Sequence, residues 1–519
     1  MTSIVAASTV AVTTVEPAGK VRWVRVTILG GGGFRVPLVA RQLASSGLPV
    51  SQLVLYDIDA ARLAAIAGVL AGDPGTSALP VTAVTELDAA LRGADVIFSA
   101  LRPGGLDGRV SDERSALALG VLGQETVGAG GLASAARTVP VVHALARRIA
   151  RLAPDAWVIS MTNPAGIVTE VMAATLGSRV IGVCDSPVGL IRRACAAAGV
   201  DPGPSLGAVT DRVDADYLGI NHLGWLRGLR IGEPGAGGGD VLPALLGDAE
   251  RLGSFEEGRL FGADLLRSLG TVPNEYLYWY YANAEAVRDV LAAGRTRGEH
   301  VRERQLAFYS AAATALAGSS AAESREAGLR GARSREAWSR DPGPAEAARL
   351  WQAANDERNR SYFAELRTGE HAGERDEADV AAGGYESVAI ALAAALCGGP
   401  AARLILNVRA GDTLLAGDTV LAGDMMPALA PGTVIEVPCL VDAGGPVPLP
   451  VSAPSAHEAG LMAAVRACER DIAEAALSTS AARAGELALR AFAAHPLVGS
   501  LAAARSLATA ALSTIPQDT

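Results

Sequence analysis

Lysine is all but missing from this 519-residue chain: Lys20 is the only one, and arginine carries the rest of the positive charge. We take this as base composition rather than as an arginine patch, because the net charge is −10, which argues against nucleic acid as a main partner. Cysteine is scarce as well. Five, an odd number at irregular spacing, make no disulfide framework, so a reducing cytoplasm is the expected compartment. Aromatics are only 4% of the chain, and the apolar run around Ala389–Cys397 is too short to span a bilayer. No membrane association is expected. Met1–Lys20 lacks a basic stretch ahead of its apolar part, which makes it a poor signal peptide and a frayed tail. What is abundant is Ala, Val, Leu and Gly, the composition of a large, compact enzyme.

Strand and helix patterns alternate through the first two hundred residues. Val24–Leu29 is a buried-strand pattern that runs into Gly30-Gly31-Gly32-Gly33, with a helix from Pro37 to Ser46 behind it. Leu53–Asp57 is a second apolar strand ending in an acid, and a helix over Ala60–Ala71 follows. Val81–Val84, Val96–Ala100 and Ala156–Ser160 continue the series. This predicts an α/β fold: a Rossmann-like, doubly wound N-terminal domain joined to a C-terminal mixed α+β domain, as in lactate and malate dehydrogenases. The expected division is a tail at 1–20, an NAD-binding domain at 21–203, and a substrate, metal and oligomerisation domain at 204–519. In the last, helices are predicted over Leu242–Leu252, Glu257–Leu269 and Glu299–Ala317, with strands at Leu404–Val408 and Val434–Pro438 and a helical tail from Glu458. A polar, Arg/Glu-rich insertion at about 320–382 reads as solvated helices and a loop elaborating the surface.

Gly30 and Gly32 fit the first two positions of the dinucleotide fingerprint, one for the tight turn and one for approach to the pyrophosphate. The third position holds Arg35 instead of Gly or Ala. Asp57 ends the second strand, where a ribose-hydroxyl acceptor is expected, although an acid there also suits a helix cap. Arg102 and Arg109 follow the strand Val96–Ala100, and Gly123-Gln124-Glu125-Thr126 leads into a glycine cluster suited to close backbone contact with a ligand or to a purely structural turn. Asn163, in Thr162-Asn163-Pro164, lies on another strand-end loop, where it serves either a ligand or a helix cap. Cys184 in Val183–Pro187 and His222 in Gly219–Leu223 each have an ordinary reading alone, as a small buried hydrophobe and a structural imidazole. Together, on strand-end turns in the same half of the sheet, they make a plausible metal pair.

These strings together resemble glycoside hydrolase family 4, whose members use NAD and a divalent metal. The likeness is carried by Gly30–Gly32 with Pro37, Leu55–Asp57, Arg102 through Glu113, Gly123–Thr126, Thr162–Pro164, Gly182–Pro187 and Gly219–His222, and later by Val272–Leu277, Thr296–Glu299, Ile435–Pro438 and His495–Leu497. It runs over about residues 22–510 apart from the insertion.

The resemblance implies hydride transfer from the sugar's carbon 3 to NAD, a metal, usually Mn2+, polarising the ketone, proton removal at carbon 2, elimination of the aglycone, water addition and re-reduction. It implies Cys184 and His222 as metal ligands, Gly30, Gly32 and Asp57 at NAD, and Glu125 and Asn163 at the sugar hydroxyls. Arg102 and Arg109 fall in its substrate-binding strings. Tyr276 is the implied base, with Arg297 near the sugar and near that base, and Arg35 stands where members carry serine beside a substrate phosphate. Asp185 is typical of α-specific members, where it acts as acid to the leaving group, whereas the glycine turn and the Cys184 string look most like the 6-phospho-β-glucosidase branch. The expected partner is a small phosphorylated glycoside, and homodimers or homotetramers are implied. A 6-phospho-α-glucosidase or other α-glycosidase of the same family, a 2-hydroxyacid dehydrogenase and a non-catalytic NAD-binding sensor are the alternatives.

Overall fold

The computed structural model describes residues 23–203, 213–232, 238–318, 342–361, 384–409 and 432–516. The expected tail, the start of the second domain at 204, and the insertion over 320–341 and 362–382 lie outside them.

Twelve strands among the described residues form one sheet. They are β1 (Val24–Leu29), β2 (Val50–Tyr56), β3 (Val81–Val84), β4 (Val96–Ser99), β5 (Trp157–Ser160), β6 (Val180–Gly182), β7 (Val213–Ile220), β8 (Leu223–Ile231), β9 (Val272–Pro273), β10 (Ala402–Arg409), β11 (Val434–Asp442) and β12 (Gly445–Pro448). The first six run parallel in the order 3-2-1-4-5-6, the doubly wound dinucleotide-binding arrangement. Their apolar side chains are continuous because helices cover both faces: Val26, Ile28, Leu53, Leu55, Val96 and Phe98 have no exposed surface. Beyond β6 the sheet turns antiparallel and continues through β10, β11, β7, β8 and β9. One row crosses the junction, with Gly182 opposite Asn407, Asn407 opposite Glu436, and Glu436 opposite Gly219. The strands expected on either side of residue 204 therefore share a single sheet.

Several helices depart from their predicted spans for local reasons. The stretch Leu242–Leu252 is two helices, Leu242–Gly247 and Ala249–Gly253, because the Asp248 side chain accepts from the Glu250 and Arg251 amides and starts a new N-terminus. Glu257–Leu269 is likewise broken at Gly262, whose φ of +77° ends the Glu256–Phe261 helix.

The larger correction falls on the insertion. Pro342–Arg360 is a packed helix and not a solvated one: Ala347 and Trp351 have no exposed surface, and Gly343, Pro344 and Asn355 are buried. Residues 344, 347, 348, 351 and 355 recur at helical spacing, a stripe masked by the polar composition between them. The helix lies so close to the Ala60–Gly72 helix that a β-carbon at Gly72 would stand 2.0 Å from the Pro344 carbonyl oxygen. Trp351 also donates its indole N–H to the Phe34 carbonyl at 2.8 Å, and the Arg41 guanidinium lies 4.8 Å above its ring.

Removing the Trp351 side chain leaves a large void and an unpaired carbonyl at Phe34. Trp351→Ala is expected to cost about 3–5 kcal/mol in urea unfolding. Arg349→Ala on the exposed face of the same helix is expected to cost under about 0.5 kcal/mol.

Candidate active site

The glycine turn after β1 is built for close approach. Gly30 has a φ of +86°, and a β-carbon there would stand 2.5 Å from the Ala100 carbonyl oxygen. The Gly32 amide donates to Asp57 Oδ2 at 3.0 Å, and Asp57 Oδ1 accepts from the Asp59 amide at 3.0 Å. The expected ribose acceptor is thus fixed against the turn from below. From outside, Tyr309 donates to the Gly32 carbonyl at 2.7 Å and Trp351 to the Phe34 carbonyl. Neither brace was legible in the sequence, since both come from helices hundreds of residues away.

The loops after β4, β5 and β6 carry Arg102, Asn163 and Cys184, side by side at the carboxyl ends of neighbouring parallel strands, where sheets of this kind bind ligands. Gln124 shapes the loop that presents Glu125 by accepting from the Thr126 and Val127 amides at 2.6 and 2.9 Å. Glu125 then lies between Arg102 at 2.7 Å and Arg109 at 2.8 Å. Burial works against its ionisation, yet Arg109 and Arg102 hold its pKa down at about 2. Arg109 also pairs with Glu113 at 2.7 Å, and Glu113 accepts the Gly298 amide at 2.8 Å, tying this cluster to the helix that begins at Arg297. Arg297 donates to Ser361 Oγ at 2.9 Å and to the Arg358 carbonyl at 3.1 Å. Arg35 pairs with Glu386 at 2.9 Å and lies 4.9 Å above the Tyr385 ring. Burial opposes its charge, and Glu386, with Asp185 beyond it, more than offsets that, so the Arg35 pKa is raised.

His222 occupies the two-residue turn between β7 and β8 with a φ of +62°, and among the described residues no other non-glycine has a positive φ. That conformation is strained for a side chain and clusters at functional sites. The imidazole is 1% exposed, neither ring nitrogen has a hydrogen-bond partner, and burial lowers its pKa to about 3. Tyr276 stacks on it at 3.7 Å between ring centroids, nearly parallel at 7°. Cys184 is equally buried; burial first, then Glu436 and Asp185, push its thiol pKa up. A neutral imidazole with both nitrogens unpartnered and a buried thiol suit a soft or borderline divalent ion, which deprotonates a coordinating thiol outright. Among the described residues no group of three or more His, Cys, Asp or Glu side chains is arranged to hold a metal ion.

Glu436 is the residue whose role the sequence left unassigned. It has no exposed surface and accepts from Asn407 at 2.7 Å, Tyr217 at 3.1 Å and Asn221 at 3.4 Å. It joins the strand-end turn of Cys184 to that of His222. Arg358 and the Ser186–Glu275 hydrogen bond at 2.7 Å were also missed; a buried carboxylate and an arginine on a polar helix carry no signal of their own in a single sequence.

The ion-pair cluster makes a pH prediction. The folded pKa of Glu125 lies below its ordinary 4.5, so its stabilisation is present above that value and is lost as pH falls toward about 2. Glu125→Gln is expected to cost roughly 2–3 kcal/mol at pH 7 by removing the carboxylate shared by Arg102 and Arg109, of which, among the described residues, only Arg109 keeps a second partner in Glu113. The gap between variant and parent in urea unfolding should narrow between pH 5 and pH 3.

Known proteins share this arrangement. Residues 25–199 match the model of the family 4 glycosyl hydrolases, and residues 217–498 that of the family 4 glycosyl hydrolase C-terminal domain. A probable 6-phospho-beta-glucosidase of Bacillus subtilis is 33% identical over 281 residues, covering 53% of this chain and 61% of the relative. A 6-phospho-alpha-glucosidase of Lacticaseibacillus paracasei is 30% identical over 280 residues, covering 49% and 59%. The chain spans about three fifths of the length of these curated relatives. Among solved structures, the 6-phospho-beta glucosidase of Thermotoga maritima with manganese, NAD+ and glucose-6-phosphate shares the fold, with a TM-score of 0.67 at 22% identity over 94% of this chain and 98% of that one. A 6-phospho-alpha-glucosidase from gut microorganisms in complex with NAD and Mn2+ gives 0.68 at 21% identity over 95% and 98%. Matched along both halves, from the glycine turn to the C-terminal helices, this chain belongs to glycosyl hydrolase family 4.

Proposed function

We propose that the chain is an NAD+- and Mn2+-dependent glycosidase of 6-phospho-β-glucosides, working in the cytoplasm as a homodimer or homotetramer. The observation that carries the reading is His222: buried, strained, unpartnered at both ring nitrogens, and stacked on Tyr276. A structural histidine would satisfy at least one nitrogen. The names of the relatives, phosphorylated glucosidases of both anomeric classes, support the substrate class. All five cysteines are free thiols, which suits a reducing compartment, and exposed Leu477 and Leu501 at the C-terminal helices offer apolar surface for self-association.

When bound, NAD+ supplies reversible hydride exchange at carbon 3 of the sugar, and the divalent metal supplies Lewis acidity beside it. Cys184 and His222 would hold the metal, and Gly30, Gly32 and Asp57 would seat the dinucleotide. Tyr276, fixed by its stack on His222, takes the proton from carbon 2. Glu125, ionised between two arginines, accepts from sugar hydroxyls together with Asn163, while Arg102 and Arg109 orient it. Arg297 lines the same site. Asp185 starts the Ser186–Ala197 helix beside Cys184 and would act as acid to the leaving group. No net oxidation accompanies turnover, because the hydride returns to the carbon it left.

The test is hydrolysis of a chromogenic 6-phospho-β-glucoside with NAD+ and Mn2+ each added or withheld. Activity is expected only with both, without accumulation of NADH. Activity indifferent to both overturns the mechanism, accumulating NADH points to a dehydrogenase, and preference for the α-anomer overturns the anomeric assignment. Mn2+ is also expected to raise the melting temperature of the parent and not of His222→Ala, with hydrolysis by that variant down at least about 10³-fold.

A further inference from the structure

The arginine cluster is not balanced by its carboxylates. Around the site, Glu125 is shared by Arg102 and Arg109, Glu113 is bound to Arg109, and Glu386 is committed to Arg35. Glu357, next along the Pro342–Arg360 helix, pairs with Arg304 at 3.0 Å and contacts His300 at 3.4 Å. Arg358 is left over. Among the described residues its guanidinium forms no ion pair, although it is half-buried and lies within the influence of Arg35, Arg297, Arg109 and Glu125. It lines a small cleft with Phe34, His300, Arg304 and Glu357, the last already paired with Arg304.

The geometry that brings it there is fixed and not incidental. Trp351, two turns earlier on the same helix, donates to the Phe34 carbonyl, and Gln352 accepts from Arg41 at 2.7 Å. At the other end Arg297 grips the last turn through the Arg358 carbonyl and Ser361. A guanidinium held half out of water among like charges is unfavourable unless something anionic joins it. Burial first, and then Arg35 and Arg297, pull the Arg358 pKa down to about 9, which expresses the same imbalance.

We propose that Arg358, carried into the site by the Pro342–Arg360 helix, is the residue that anchors the substrate's phosphate, in place of Arg35. Arg35 already has its anion in Glu386 and its face on Tyr385. Arg358 has the charge, the planar donor fork that matches a phosphate, and no ion pair to a carboxylate among the described residues. The proposal rests on the reading of the chain as a phosphoglycosidase and adds the group that sets its preference for phosphorylated over free sugars.

The experiment compares KM and kcat for a 6-phospho-β-glucoside and the matching free β-glucoside in the holoenzyme, for the parent, Arg358→Gln and Arg358→Lys. Arg358→Gln is expected to raise KM for the phosphorylated substrate about 30-fold or more, with kcat within about threefold and the free glucoside unaffected. Arg358→Lys keeps the charge but loses the fork, and is expected to raise that KM about 3–10-fold. Titration calorimetry with glucose 6-phosphate and with glucose, NAD+ and Mn2+ present, should show the same loss for the phosphorylated sugar alone. If Arg358→Gln fails to fold, Arg358→Lys decides: an unchanged KM overturns the anchor. Equal losses on both substrates overturn it too. A parent enzyme indifferent to the phosphate overturns the substrate class itself, whereas a discriminating parent whose variants keep their KM overturns only the assignment to Arg358.

Discussion

The buried carboxylate of Glu436 is the point on which the two halves of this molecule are joined. It lies in the row that runs from Gly182 through Asn407 and Glu436 to Gly219, where the parallel sheet becomes antiparallel. A carboxylate with no exposed surface is tolerable only with its lone pairs filled, and Asn407 on β10 fills them together with Tyr217 and Asn221 from β7 and its turn. Asn274 in turn donates to the Tyr217 hydroxyl at 3.1 Å, extending the network to the segment that carries Tyr276. Burial still raises the Glu436 pKa. Cys184 and His222 each stand a few residues from a partner in this row, so the places of these two proposed metal ligands follow from sheet register.

That arrangement explains why a histidine tolerates a left-handed backbone at 222. A two-residue connection between β7 and β8 needs a positive φ at one position, a place where glycine or asparagine is usual. Keeping the imidazole there costs about 1–3 kcal/mol of strain. Its neighbours make the position unavoidable: Asn221 is held by Glu436, and Tyr276 covers the ring. The metal would meet a ligand whose direction is already decided, and whose neutral form is ensured by burial.

Legibility in the sequence followed the physics of each element. Strands β1, β2 and β4 were readable because each carries a short apolar run buried on both faces, Ile28-Leu29, Leu53-Val54-Leu55 and Val96-Ile97-Phe98, with glycine or an acid following the first two. The helix breaks at Asp248 and Gly262 were missed because apolar spacing carried on through a residue whose preference is local. The Pro342–Arg360 helix was misread as solvated because its buried stripe of small residues and one tryptophan is diluted by arginine and glutamate. Candidate site residues stood out where a residue type is rare, as with Cys184 and His222. Glu436 was not, since only tertiary structure distinguishes a buried glutamate from a surface one.

The misread helix changes how the site is understood to be assembled. Its Trp351 supports the glycine turn that seats the dinucleotide, and its last turn faces Arg297 and the Glu125 cluster that would seat the sugar. One element therefore contacts both the turn proposed for the dinucleotide and, through Arg297, the cluster proposed for the sugar, whose relative placement governs rate. A flexible surface appendage would leave the glycine turn's outer carbonyls to solvent and the arginine cluster open to water, which screens the charges meant to orient the substrate. Packing this helix against the Ala60–Gly72 helix instead fixes the spacing between the two proposed ligand sites.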